Sequence, residues 1–399
     1  MESVSIYAEW MWDGDNSEPA RDILITIQGR MISAIRSGAR PAEADVAFPD
    51  CTILPGLIDA HVHLCFSAAR THAEVVSRLV RESEEELLSR AITNARQALE
   101  AGITTVRDCG GRGRVPFLVR ELIQAGKVAG PDVLISGEPI TTPRGHLHYI
   151  GAHSESAEDV KREANRLLEL GADFVKVIVT GGNMTAESDR LGCQFDIVEI
   201  GSAVQCAERV GRYVAGHVLN REGLRRAVLS GVRTLEHCSW RISATQHAFD
   251  VELARYMRQQ GQVASLTMSA PTWRKVVPEM GQLDPHLFAD LNERFATERA
   301  LLDAGVRFVL HTDAGVRQTP FGISLIYALR SAEQELGLNP RECLRAVTVE
   351  AAEALGLNDR GRLQVGKRAD LLVVAGQPWR ELAALHQVRG VWCAGRRCR

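Results

Sequence analysis

Two histidines one residue apart, His61 and His63, close the stretch Pro55-Gly56-Leu57-Ile58-Asp59-Ala60-His61-Val62-His63. On extended backbone, residues i and i+2 face the same side, so both imidazoles can offer a nitrogen to one divalent ion. Alone, the pair reads equally well as two surface histidines. Further on, Lys176 stands among β-branched residues in Phe174-Val175-Lys176-Val177-Ile178-Val179. An isolated buried ammonium is costly, so this lysine lies at a rim, pairs with a carboxylate, or changes its charge state. A carbamylated lysine would be an anionic oxygen donor able to bridge two metals. Three more apolar runs lead to Gly216-His217, Glu236-His237 and His311-Thr312-Asp313. One histidine so placed is more often structural than a ligand. Three such ends supplying His, His and Asp, with His61, His63 and Lys176, make six nitrogen or oxygen donors of the kind zinc-like ions prefer.

Something must carry those groups to one place. Strand-like runs occur at Thr52–Leu57, Ile103–Arg107, Asp132–Ser136, Phe174–Val179, Tyr213–Ala215, Arg233–Leu235, Val263–Leu266 and Arg307–Leu310. Helical patterns such as Glu82–Glu100, Ala157–Leu170, Arg221–Leu229 and Pro285–Ala304 separate most of them. Several helices stop at a glycine (Gly102, Gly171, Gly231, Gly305), which tolerates the left-handed conformation after a helix end. Eight strand–helix units favour an α/β fold of the (β/α)8 TIM-barrel kind, whose functional groups gather at the C-terminal ends of its strands. An open doubly wound sheet fits the pattern too. Both chain ends read as short strands, with a hairpin turn at Gly29-Arg30, so 1–53 plus 361–399 form a small β-sandwich domain and 54–360 the barrel.

Composition narrows the function class. Hydrophobic residues make up 45% and charged residues 24% of the chain, values at which a large core is expected. The net charge is −3 and the basic residues are scattered, which gives no footprint for nucleic acid or an anionic membrane. The nine cysteines are odd in number and contain no C-x-x-C pair, so neither a secreted disulfide framework nor a thiolate zinc site is expected. No signal peptide is seen and no apolar run reaches the ~20 residues of a membrane span. The expectation is a cytoplasmic protein acting on a small molecule.

Taken together, His61-Val62-His63 after Pro-Gly-Leu-Ile-Asp, Lys176, His217, His237 and Asp313 resemble the binuclear metal hydrolases of the amidohydrolase superfamily. The resemblance spans essentially the whole chain. Gly361-Arg362-Leu363 through Gly366-Lys367-Arg368-Ala369-Asp370-Leu371 looks like that family's return into its β-sandwich. Val106-Arg107-Asp108, Gly145-His146 and Thr180-Gly181-Gly182-Asn183 look like its imidazolonepropionase-like and Xaa-Pro dipeptidase-like branches.

The resemblance implies two divalent ions, zinc by preference. His61, His63 and Asp313 would hold the more buried one, His217 and His237 the second, and carbamylated Lys176 would bridge them. It further implies that a water made acidic by the metals, a metal-bound hydroxide, attacks the scissile carbonyl. Asp313 would take the proton and pass it to the leaving nitrogen. His146 would add a hydrogen bond to the carbonyl oxygen, the alternative being a loop histidine. His148 and His153 are read as structural, and homo-oligomers are expected by likeness.

The sequence departs from the branch at Cys238-Ser239-Trp240, where the dipeptidase-like enzymes often place tyrosine, and this counts against dipeptide binding. His311 stands where glycine is common and reads as a packed neighbour of the site. Trp240, Arg144 and Arg317 are candidate substrate contacts, although an arginine in such a loop is more commonly a solvated charge. The leading substrate class is a dipeptide, N-acyl or N-carbamoyl amino acid. Aryl-ureas, carbamates, anilides or lactams, xenobiotics included, are the alternative, to which Trp240, Trp273 and the loop Met268–Val277 would be suited. A catalytically inactive barrel used as a binding scaffold is a third reading, which predicts a missing ligand; none is missing.

Overall fold

The structure is a computed structural model that describes residues 3–15, 18–269 and 291–399. The N-terminal strands are β1 (Ser3–Met11), β2 (Ala20–Gln28), β3 (Met31–Arg36) and β4 (Val46–Pro55). Next come β5 (Leu57–Val62), β6 (Ile103–Asp108), β7 (Asp132–Ile135), β8 (Ile140–Thr141), β9 (Ala152–His153) and β10 (Val175–Ile178). They are followed by β11 (Val214–His217), β12 (Thr234–Glu236), β13 (Val263–Thr267) and β14 (Arg307–His311), and the chain closes with β15 (Leu371–Ala375), β16 (Val388–Cys393) and β17 (Arg396–Arg397). The outer helices include α1 (His72–Arg81), α2 (Glu84–Glu100), α3 (Val115–Gln124), α4 (Ala157–Glu169), α5 (Ile197–Arg209), α6 (Arg221–Leu229), α7 (Val251–Gln259) and α8 (Leu291–Asp303).

Both chain ends build one seven-stranded sheet in the order β17-β16-β15-β4-β1-β2-β3. Only β1 and β4 run parallel within it. Its alternating side chains, among them Ile6, Ile23, Ile25, Ile53, Val373 and Trp392, share a core of their own.

The rest of the strands are parallel, in one sheet ordered β14-β13-β12-β11-β10-β8-β9 and another ordered β5-β6-β7. A few backbone contacts join the two sheets at each seam. Asp173 N donates to Ile135 O at 2.8 Å beside β7 and β10. On the other side Val62 forms a parallel bridge with Ala314, and Asp313 N donates to His61 O at 3.0 Å. This second seam matters chemically, because it lays the last strand's turn against the first strand's histidines.

One boundary differs from the sequence reading. The apolar run at Thr52–Leu57 is not a barrel strand: it ends β4 of the terminal sheet, and β5 starts only after Gly56. A Cβ at Gly56 would lie 2.2 Å from Thr104 Oγ1, so only glycine lets the chain pass so closely from one sheet to the other. Helix α1 was also not anticipated. Its signal is a capping box in which Thr71 and Glu74 satisfy each other's backbone N–H groups, which places His72 at the first helical position. The glycine stops behave as expected, with φ of +90° at Gly102 and +85° at Gly231.

A charged cluster fastens the C-terminal segment to the parallel strands. Asp132 Oδ2 accepts from Arg360 Nη1 at 2.6 Å and from Arg368 Nη1 at 2.7 Å. Burial pushes the Asp132 carboxyl up, but Arg368 and Arg360 outweigh it and hold its pKa below the usual value. A depressed folded-state pKa stabilises the fold fully above the unfolded value of about 3.9, and that contribution fades as the pH falls through the folded one. Asp132→Asn is therefore expected to cost about 2–3 kcal/mol at pH 7, with the gap narrowing at an acid pH that protonates the carboxyl. Urea unfolding at both pH values checks this, and an unchanged gap would contradict it.

Candidate metal centre and active site

His61 lies in β5 and His63 just beyond it, and the extended backbone turns both rings into one cavity. Each ring is oriented through Nδ1, His61 against Glu236 Oε2 at 2.8 Å and His63 against Gly110 O at 2.8 Å. With Nδ1–H donating to these acceptors, both Nε2 lone pairs are left for the cavity. They face Asp313 Oδ1 at 3.5 and 3.4 Å. Asp313 takes a left-handed backbone, φ +59°, a strained state that aspartate tolerates better than most residues. Its turn is locked by Asp59, which accepts from Thr312 N and Thr312 Oγ1.

Lys176 sits in β10 at 1% exposure, and its Nζ has no hydrogen-bond partner among the described residues. His217 closes β11 and His237 follows β12. His237 Nδ1 is bound to Thr267 Oγ1 at 2.7 Å, while His217 Nε2 lies 3.3 Å from Gly181 O. Their remaining nitrogens face each other at 3.0 Å. Two lone pairs so close repel unless a proton or a cation lies with them. His237 and Cys238 are consecutive non-glycine residues with positive φ, which places backbone strain directly at the site.

The electrostatics suit metal ligation. Burial first, with like charges nearby, pushes His61 and His217 well below the usual imidazole range and His237 and His146 down to about 3. Burial thus favours the neutral, lone-pair form of each ring, and any proton the cluster holds lies on a ring facing Asp313 rather than on its carboxyl. Asp313 goes the other way: burial raises it, but His61, His63 and His237 outweigh burial and keep it ionised. His61, His63 and Asp313 bring their ligand atoms within 4.8 Å of one another. An unpartnered buried amine, paired lone-pair donors and an ionised carboxylate fit a divalent-cation site.

All six proposed ligand residues line the same cavity of about 200 Å³, as do His146 and Arg317. His146 is held close to the cluster by Gly182, where a Cβ would stand 2.4 Å from its Nε2. Its ring lies 4.8 Å from that of His217, and its Nδ1 has no partner among the described residues. Two expected substrate contacts do not join them. Trp240 is buried in the core against Phe249 and does not line the cavity, because the chain's turn at His237-Cys238 directs it away. Arg144 is exposed and also lies outside the lining. Trp273 and most of the loop Met268–Val277 lie outside the described residues. His148 and His153 hold each other, with His153 Nε2 2.8 Å from His148 O. His311 stacks on His61 at 4.6 Å as a packed neighbour.

Sequence reasoning passed over the support beneath His61. Glu236 is fully buried, with Oε1 accepting from Arg107 Nη2 at 2.7 Å and from Thr234 Oγ1 at 2.6 Å. Arg107 also donates to Ala60 O and lies over the Phe174 ring. Burial pushes Glu236 up, yet Arg107 and His61 hold it well below the usual carboxylate range. The available signal was a formal charge inside each of two short apolar strands. His72, Arg190, Arg241 and Arg294, all in the cavity lining, were missed as well.

The amidohydrolase family profile matches residues 52–398, and the chain belongs to that family. It is a hydrolase acting on C–N bonds. The ochratoxinase of Aspergillus niger is 25% identical over 98% of this chain and 85% of its own length. The imidazolonepropionase of Deinococcus deserti is 27% identical over 86% of this chain and 84% of its own. A solved Xaa-Pro dipeptidase with methionine bound in its active site superposes with a TM-score of 0.85 at 26% identity, covering 99% of both chains. No helix among the described residues is long and apolar enough to cross a membrane.

Proposed function

We propose that this protein hydrolyses an amide-type C–N bond in a small carboxylate-bearing substrate, a dipeptide or an N-acyl or N-carbamoyl amino acid, with two divalent ions, zinc by donor preference. The reading is carried by the convergence of His61, His63 and Asp313 beside a buried, unpartnered Lys176. His61, His63 and Asp313 would hold one ion and His217 and His237 the other. A carbamate on Lys176 would place an anionic oxygen pair between them and remove the cost of burying a lone ammonium. When bound, the ions supply Lewis acidity toward the carbonyl and lower the pKa of water beside them.

The remaining steps belong to the chain. Asp313 Oδ1 faces the two imidazoles, which leaves Oδ2 to take a proton from the attacking water and deliver it to the leaving nitrogen. His146 donates to the carbonyl oxygen as negative charge builds there. Arg317, in the lining, attracts the substrate carboxylate. We read the two parallel sheets as one (β/α)8 barrel over 54–360, and the terminal sheet as a β-sandwich domain of 1–53 with 361–399. Hydrolysis of N-acetyl amino acids and dipeptides should stop on chelation and return with zinc. Turnover indifferent to exhaustive chelation would refute the reading.

A further inference from the structure

The loop that carries His146 follows β8 and bends against its own preferences. Arg144 and Leu147 hold φ of +64° and +59°, although neither is glycine. Such a bend persists only where the surroundings enforce it. Hydrogen bonds to the loop's backbone do so. His146 N donates to Gln194 Oε1 at 2.6 Å, Thr141 Oγ1 donates to His146 O at 2.7 Å, and Leu147 N donates to Thr185 Oγ1 at 3.0 Å. Gln194 links these contacts to the parallel sheet. Its Nε2 donates to Thr141 Oγ1 at 2.9 Å and to Ile178 O at 3.1 Å, and its backbone N donates to Val179 O at 2.8 Å. The amide is thereby used at both ends, and a flipped one would set N–H against N–H at His146. Ile178 lies two residues beyond Lys176 on β10, so one side chain ties the His146 backbone to the strand that bears Lys176. The ring of His146 has a constraint of its own. The φ of Gly182 lies outside the positive range, so its backbone does not call for glycine. What it supplies is room: a Cβ there would lie 2.4, 2.5 and 2.6 Å from three ring atoms of His146.

We propose that Gln194 and Gly182 are positioning residues for His146, Gln194 by fixing its backbone and Gly182 by leaving space for its ring. This rests on the reading of His146 as a donor to the scissile carbonyl, and adds what holds that donor in place before a substrate arrives. A donor already in position stabilises the charge that develops on the oxygen without first reorganising. An interaction that tightens in the transition state lowers the barrier and adds little to substrate binding, so the two residues act on kcat rather than KM. Neither residue reaches the reaction except through His146, and their effects should therefore depend on its imidazole being present.

The test is a double-mutant cycle in zinc-loaded full-length protein, with N-acetyl amino acids and dipeptides as probes and zinc content measured for every variant. Gln194→Met and Gly182→Ala should each lower kcat by about 10- to 100-fold and move KM by less than about threefold, with zinc content unchanged. Placed in a His146→Ala background, either substitution should cost less than about twofold more, because the group it positions is gone. Gly182→Ala leaves Gln194 and its bonds intact, so the cycle can be closed on it if Gln194→Met does not fold. Losses that multiply in the His146→Ala background, a wild-type kcat in Gln194→Met or Gly182→Ala, or zinc lost in proportion to activity would overturn the inference and leave the amide-hydrolase reading standing. A wild-type kcat in His146→Ala would remove the carbonyl role of His146, and the inference with it. No hydrolysis of these amides by the wild-type protein would remove the amide-hydrolase reading as well.

Discussion

Asp313→Asn should lower turnover by about 10³-fold or more while the protein stays folded. The substitution keeps the side chain's shape but removes both the negative charge and the proton acceptor. The charge is needed because Oδ1 lies 3.5 and 3.4 Å from the Nε2 atoms of His61 and His63. The acceptor is needed because no other carboxylate among the described residues lines the cavity. Neighbouring histidines hold Asp313 well below its ordinary pKa against the push of burial, so the wild-type group is ionised at neutral pH. Turn geometry does not depend on the charge, since Asp59 fixes it through Thr312. Circular dichroism and Tm separate loss of chemistry from loss of fold, and metal content shows how much of the effect is ligation. Activity within tenfold of wild type would remove Asp313 as the base.

Glu236→Gln should act beneath the cavity rather than in it. The introduced amide could still accept from His61 Nδ1, but it would leave the Arg107 guanidinium buried without its counter-charge. Removing one member of a buried pair costs about 3–5 kcal/mol, because the other is left uncompensated. Metal affinity should also fall, by about 10- to 100-fold, since the acceptor that orients His61 is weakened. Arg107→Met should destabilise similarly by stranding Glu236. The informative variant is the double one, Arg107→Met with Glu236→Leu, which removes both charges. It should regain much of the lost stability and none of the metal affinity, because His61 Nδ1 then has no carboxylate to meet. Urea unfolding with zinc titration against a chromophoric chelator reads both quantities. If the double variant bound zinc as wild type does, Glu236 would be a folding residue alone.

What the sequence made visible follows from where the groups stand. His61 and His63 were readable because alternation on a strand fixes their common side, and Lys176, His217, His237 and Asp313 because polar groups interrupting apolar runs at strand ends are unusual. The first strand boundary was not readable. Cys51–Pro55 and Leu57–Val62 are both continuously buried, and only the close approach of Gly56 to Thr104 divides them. Trp240 was misplaced for a related reason. Its direction is set by the left-handed turn at His237-Cys238, a conformation that neither residue type announces. Arg107 and Glu236 come from strands 129 residues apart, and a pair of buried charges can be recognised only once both are known to be buried. His72 owed its place to a capping box that periodicity alone does not reveal.

Diffraction data collected at the zinc absorption edge, from crystals grown without chelator, address the metal site itself. Two anomalous peaks should appear in the cavity, one contacted by His61, His63 and Asp313 and the other by His217 and His237, with extra density extending Lys176 Nζ between them. A cavity without an anomalous peak in zinc-supplemented crystals, or ions bound only elsewhere, would contradict the proposed chemistry.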